Sequence, residues 1–137
     1  MSTPPPELVE ILQSGSPRVS DRPPALGELR CEADILERIA QIGRFVRTQV
    51  KFAAGCPILQ DETSGHAFAA AWGSASLAIR MGTVHPGMLT MDPPHHEGLD
   101  DAWWNINPWP QDTTFQRGND ILRHAVQQAM KSLVADR

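Results

Sequence analysis

The chain has 137 residues, of which 41% are hydrophobic and 20% are charged, and this ordinary composition predicts one globular domain rather than a disordered chain. The formal net charge is −4 and no block of Lys or Arg occurs, which disfavours a nucleic-acid-binding face or a polybasic membrane anchor. Because the chain has no long apolar run, no signal-peptide pattern and only two cysteines, we expect a cytoplasmic protein without a disulfide framework.

Residues 1–27 are predicted to form an extended arm. Six of the 12 prolines fall before residue 25, and they exclude a long helix or a central strand there. Residues 7–13 can form one short helix that carries Leu8, Ile11 and Leu12. We expect the arm to be a solvated tail or to lie across the body or a partner, and residues 28–137 to form a single helical domain.

A clear helical period begins at Glu28 and ends before Gly55 and Pro57, which stop a helix. Acidic residues come first and basic residues follow, an order that complements the helix dipole. Five apolar residues at steps of four, three, four and four define one stripe of this first predicted helix: Ile35, Ile39, Ile42, Val46 and Val50.

The second predicted helix lies between Ser64, which serves as the N-cap, and Gly82, which lies just past the end. Its apolar stripe, at steps of four, three and four, consists of Phe68, Trp72, Ala75 and Ile79. An alternative remains at residues 77–81, where apolar residues alternate with small or polar ones as they do in a strand.

The third predicted helix begins at the capping box formed by Thr113 and Gln116, or at Asn119, and continues nearly to the last residue. Its apolar face consists of Phe115, Leu122, Ala125, Val126, Ala129, Met130 and Leu133. Three amphipathic helices predict a mainly α fold with a small shared core. The alternative is an α+β fold with a small sheet of two or three strands.

Residues 83–111 form a long connection between the second and third helices. They contain five prolines, three of the four tryptophans and three of the five histidines. Because disordered segments are poor in large aromatic residues, we expect this loop to be ordered, with a short strand over residues 88–91.

The loop histidines are candidate metal ligands, since imidazole and carboxylate groups bind zinc or iron. The candidate set is His85, His95, His96 and Glu97. In an extended segment His95 and His96 point to opposite sides, so they cannot easily share one ion. A divalent metal is the one cofactor considered, and polar loop histidines held by local hydrogen bonds are the alternative.

The candidate catalytic residues are His66, Cys56 and His85. The tetrapeptide that begins at Ser64 and contains His66 resembles the central motif of the phosphatidic-acid-phosphatase-like family, which implies a phosphate held by Ser64 and Gly65 with His66 as the acid. The upstream Lys and Arg-Pro element of that family is missing, so we assign no family. A nucleophilic Cys56 needs a histidine base nearby, and the alternative is a buried, inert thiol.

The stretch from residue 103 to residue 110 is the most informative part of the sequence for function. Tryptophan is enriched at the centres of protein interfaces. The candidate partner-binding residues are Trp103, Trp104, Trp109, Asn105 and Asn107. The alternatives are that the indoles complete the core or line a ligand pocket. Acidic flanking residues disfavour contact with nucleic acid.

We therefore expect a small protein–protein interaction protein: an adaptor, an inhibitor or immunity-type protein, or a subunit of a larger assembly. The partner is another protein, and a homo-oligomer is possible. The two alternative functions are a small metal-dependent or histidine-based hydrolase and a small-molecule binding module.

Overall fold

The computed structural model describes residues 3–13, 19–61, 65–81, 89–109, 120, 122–128, 130 and 131. In this part of the chain, helices pack against one antiparallel sheet of five strands. The prediction of a mainly helical fold is therefore wrong. The sheet is also larger than the two or three strands of the α+β alternative.

The helices lie before and after the strands along the chain. They are α1 (Pro6–Leu12), α2 (Ala33–Phe45) and α3 (the helical residues 120, 122–128, 130 and 131), with a short 3-10 turn at Leu26–Glu28. The strands are β1 (Lys51–Ala53), β2 (Cys56–Gln60), β3 (Ala67–Trp72), β4 (Ser76–Arg80) and β5 (Trp103–Asn105). The strands lie side by side in chain order, and each pairs antiparallel with the next.

The second predicted helix is in fact the hairpin of β3 and β4, which pair from Ala69 with Ile79 to Trp72 with Ser76. The turn between them begins at Gly73, whose φ of +63° suits glycine. Every residue of β3 is buried, because both faces of the sheet are covered. Such a strand is apolar at each position and does not alternate, so its apolar residues also fit a helical stripe.

The first predicted helix exists as α2, but it is shorter than predicted. It begins at Ala33 and ends at Phe45, where Arg47 adopts a φ of +58° and the Thr48 N–H donates to the Gly43 carbonyl at 2.8 Å. A Cβ on Gly43 would lie 2.5 Å from the Thr48 carbonyl oxygen, so the chain turns back closely over this glycine. The fully buried residues of the predicted stripe are Ile35, Ile39 and Ile42.

The sheet has a hydrophobic core on each face. The first face is covered by α2 and α3, and its core includes Ile39, Phe68, Leu77, Ile79, Leu122 and Val126. The second face is covered by α1 and the loop before β5, and its core includes Leu8, Leu12, Ile58, Trp72, Leu99 and Trp103. The side chain of Gln13, just after α1, donates to the Gly98 carbonyl at 2.8 Å and so links α1 to the loop that covers the same face. Part of the predicted N-terminal arm thus lies against the body.

Both outer strands of the sheet are covered along their free edges. Ser20 and Phe52 of β1 exchange two hydrogen bonds of 2.8 Å. On the far side, the Met91 N–H donates to the Asn105 carbonyl at 2.8 Å, and the Asn105 N–H donates to the Pro94 carbonyl at 2.7 Å. The described strands therefore offer little open edge to which a partner could add a strand.

Candidate functional site

His95 fastens the segment before β5 to that strand. Its Nδ1–H donates to the Trp103 carbonyl at 2.9 Å, and its ring lies 4.3 Å from the Trp104 ring, centroid to centroid. The imidazole is therefore used to hold backbone and indole in place.

His96 points into the second face and is only 5% exposed. Its Nε2–H donates to the Leu77 carbonyl at 3.2 Å, and its ring meets the Trp72 ring edge-on at 4.7 Å between centroids. Burial lowers the pKa of His96 below its usual range, and the neighbouring His95 adds to this, although the hydrogen bond to Leu77 acts in the opposite direction. His96 is therefore neutral at pH 7.

The candidate metal ligands do not converge. His95 is bonded to β5 and His96 to β4, while the Glu97 side chain is exposed to solvent. In the part of the chain that the structure describes, no three His, Cys, Asp or Glu residues are grouped so that they could hold one ion. His85, the fourth candidate, lies outside the described residues.

Cys56 is not placed to act as a nucleophile. It is fully buried in the second face, where its Sγ–H lies 3.8 Å from the Ala54 carbonyl oxygen. Burial raises the pKa of the Cys56 thiol to about 12, so the thiol stays protonated near pH 7.

His66 does not stand at a helix N-terminus as the sequence predicted. It precedes β3, and its carbonyl accepts the Asp61 N–H at 2.8 Å. The first strand residue, Ala67, follows at once, so no helix dipole is available there to bind a phosphate. Ser64 lies outside the described residues.

Trp103 and Asn105 are part of the core and are not free to contact a partner. Trp103 is 1% exposed within the second face. Asn105 is also buried, and its Nδ2–H donates to the Pro93 carbonyl at 2.8 Å. Two of the five predicted partner-binding residues therefore stabilise the loop and its strand.

Trp104, Asn107 and Trp109 are half-buried. The two indoles pack against the core of the first face and leave part of their surface in solvent. The Oδ1 atom of Asn107 accepts the Trp109 N–H at 3.0 Å, and this turn fixes the backbone that carries the second indole.

The charged and large apolar residues that are exposed between positions 91 and 101 form what we call the acidic loop surface. It consists of the exposed residues Met91, Asp92, Glu97, Asp100 and Asp101. Met91 is 42% exposed, and four exposed carboxylate residues follow it within ten positions along the chain. No Lys or Arg occurs from residue 81 to residue 116, so no charge within this segment offsets them.

Comparison of the chain with protein-family models, with curated proteins and with solved structures gives no match in any of the three. Within the described ranges, no helix is both long enough and apolar enough to cross a bilayer. Function must therefore be inferred from the chain's own residues.

One residue of the candidate site was not among the sequence candidates. Arg38 lies on α2 and is almost fully buried, and its Nε–H donates to the Pro108 carbonyl. A signal for this burial was present, because Arg38 follows Ile35 by three residues and precedes Ile42 by four, which places it on the apolar stripe of α2.

Proposed function

We propose that this chain is a small protein–protein interaction protein that binds a basic partner through the acidic loop surface and the indole of Trp104, which contacts His95 of the same loop. The class includes adaptors, inhibitors, immunity-type proteins and subunits of larger assemblies. The observation that carries the proposal is that one segment, residues 91–101, exposes Met91 and four carboxylates and contains no Lys or Arg.

The loop is prepared for binding because its buried side chains hold it in one conformation. His95, His96 and Asn105 each hydrogen-bond a backbone carbonyl, and Leu99 is buried against the second face. A surface that is already ordered loses less conformational entropy on association. The loop therefore supports binding of a folded partner or a peptide without a prior folding step.

The charge pattern favours a partner rich in Lys or Arg. An acidic patch attracts such a partner over a distance of about 8–10 Å at ordinary salt and speeds encounter. The exposed thioether of Met91 adds an adaptable apolar contact. Both cysteines are free thiols, which fits the cytoplasm as the compartment of this proposal.

The proposal is tested by selecting binders from a displayed random-peptide library with the full chain as bait. We expect the selected peptides to be enriched in Lys and Arg around one apolar residue. Their affinity is expected to fall at least tenfold for a Met91→Ser, Glu97→Gln, Asp101→Asn triple variant and to decrease as salt is raised.

The matched control is Glu28→Gln, which removes one exposed carboxylate from the 3-10 turn that lies against Gly55, between β1 and β2 and away from β5 in the sheet. Its affinity for the same peptides should equal that of the unaltered chain. Peptides without basic residues, or equal binding by the triple variant, would contradict the proposal.

A further inference from the structure

A cavity of about 260 Å³ lies between α2 and Trp109, which follows β5 in the chain. It is lined by Asp34, Glu37, Arg38, Gln41 and Trp109. The four helix residues follow one another at steps of three, one and three, so they form a single stripe along α2. The indole of Trp109 faces this stripe from the loop side of the cavity.

The cavity is held in shape by Arg38. Its Nε–H donates to the Pro108 carbonyl, and its Nη1–H donates to the Gln41 side-chain oxygen at 2.9 Å. The first of these bonds joins Pro108 to α2. The backbone N–H of the next residue, Trp109, donates to the Asn107 Oδ1 atom at 3.0 Å. The backbone that carries the indole wall is therefore fixed before any ligand arrives.

The charge of the lining favours a cation. Two carboxylates and one guanidinium give the lining a net negative charge. The guanidinium of Arg38 is buried and engaged with Pro108 and Gln41. Neither Asp34 nor Glu37 forms an ion pair with any residue that the structure describes.

We propose that this cavity binds an arginine side chain of the protein partner, an inference that rests on the proposed function and names its specificity pocket. A planar guanidinium stacks on the face of an indole and pairs with a carboxylate through two parallel N–H donors. The cavity supplies Trp109 for the first contact and Asp34 or Glu37 for the second.

The test uses N-acetylarginine amide as the probe, with the uncharged isostere N-acetylcitrulline amide as the matched compound. The indole N–H signal of Trp109 in the NMR spectrum of the full chain is assigned from its loss in Trp109→Phe. We expect this signal to shift on titration with the arginine compound, with saturation in the millimolar range. The citrulline compound should produce no saturable shift.

The variants identify the carboxylates that hold the probe. Asp34→Asn with Glu37→Gln should weaken binding of the arginine compound at least fivefold, while Glu10→Gln leaves it unchanged. Equal binding of the two compounds, no shift at all, or full affinity in the double variant would overturn the pocket. Because this titration contains no peptide and does not involve the acidic loop surface, its failure is distinct from failure of the library selection.

Discussion

Shortening Leu8 to alanine tests whether the N-terminal segment is part of the folded body. The Leu8 side chain is fully buried in the second face, in contact with a core that includes Trp72 and Trp103. Replacing a buried leucine by alanine costs about 2–5 kcal/mol, because apolar contacts are lost and a cavity remains. For a fully buried site on a short helix we expect about 3 kcal/mol, a large share of the roughly 5–15 kcal/mol that stabilises a typical domain.

The assay is urea unfolding followed by circular dichroism and tryptophan fluorescence. The urea concentration at the midpoint of unfolding should fall. The slope of the unfolding free energy against urea should stay the same, because the surface area exposed on unfolding changes little. In a thermal scan the same loss lowers Tm by roughly 10 °C. The control is Glu10→Ala on the exposed side of α1, which we expect to change the free energy of unfolding by less than about 0.5 kcal/mol.

A Leu8→Ala variant as stable as the unaltered chain would refute the packing of α1. Residues 1–27 would then be a solvated tail, one of the two expectations from the sequence. Deletion of residues 1–24 would also leave Tm unchanged. If α1 covers the second face as described, that deletion exposes its core and lowers Tm by more than the single substitution does.

Three further changes have effects that follow from the structure. Burial lowers the pKa of His96, so below about pH 6.5 the unfolded chain binds a proton that the native chain does not, and the free energy of unfolding falls by at most about 1.4 kcal/mol per pH unit. In His96→Gln this fall should shrink, as measured by urea unfolding at pH 7.5 and 5.5. Gly55→Ala should lower Tm, because φ is +79° and the new Cβ would lie 2.4 Å from the Glu28 carbonyl oxygen, whereas Ala54→Gly, at a φ of +53° in the same turn, should not. Ile42→Asp should leave no cooperative thermal transition, since it buries an unpaired carboxylate in the first face.

The helices were easier to predict from the sequence than the sheet, and the reason is physical. In α2 one side faces the core and the other faces water, so Ile35, Ile39 and Ile42 stand out at helical spacing. In β3 both sides are buried, so Ala69, Ala70 and Ala71 leave no alternation to detect. An unbroken run of apolar residues fits the helical period of 3.6 residues as well as the strand period of two. The choice of strand depends on pairing with β4, which lies outside the segment.

The sequence indicated which loop to consider as a candidate site, but not how deeply each of its residues is buried. The richness of the loop in tryptophan pointed to residues 103–109, yet burial separates Trp103, which completes the core, from Trp104, which keeps some exposed surface. Composition does not show which side of a strand faces inward when its neighbours are unknown. Although they are adjacent in the chain, His95 and His96 bond two different strands.

The covering of the second face has a consequence for how the protein is made. Its two parts, α1 and the segment that contains Leu99, stand on opposite sides of the first four strands in the chain. While the ribosome is still adding residues beyond β4, this face is only half covered, and the indole of Trp72 lacks His96 beside it. The nascent protein therefore passes through a stage at which apolar residues of the second face are exposed and can bind a chaperone. That stage ends once the segment containing His96 and Leu99 emerges.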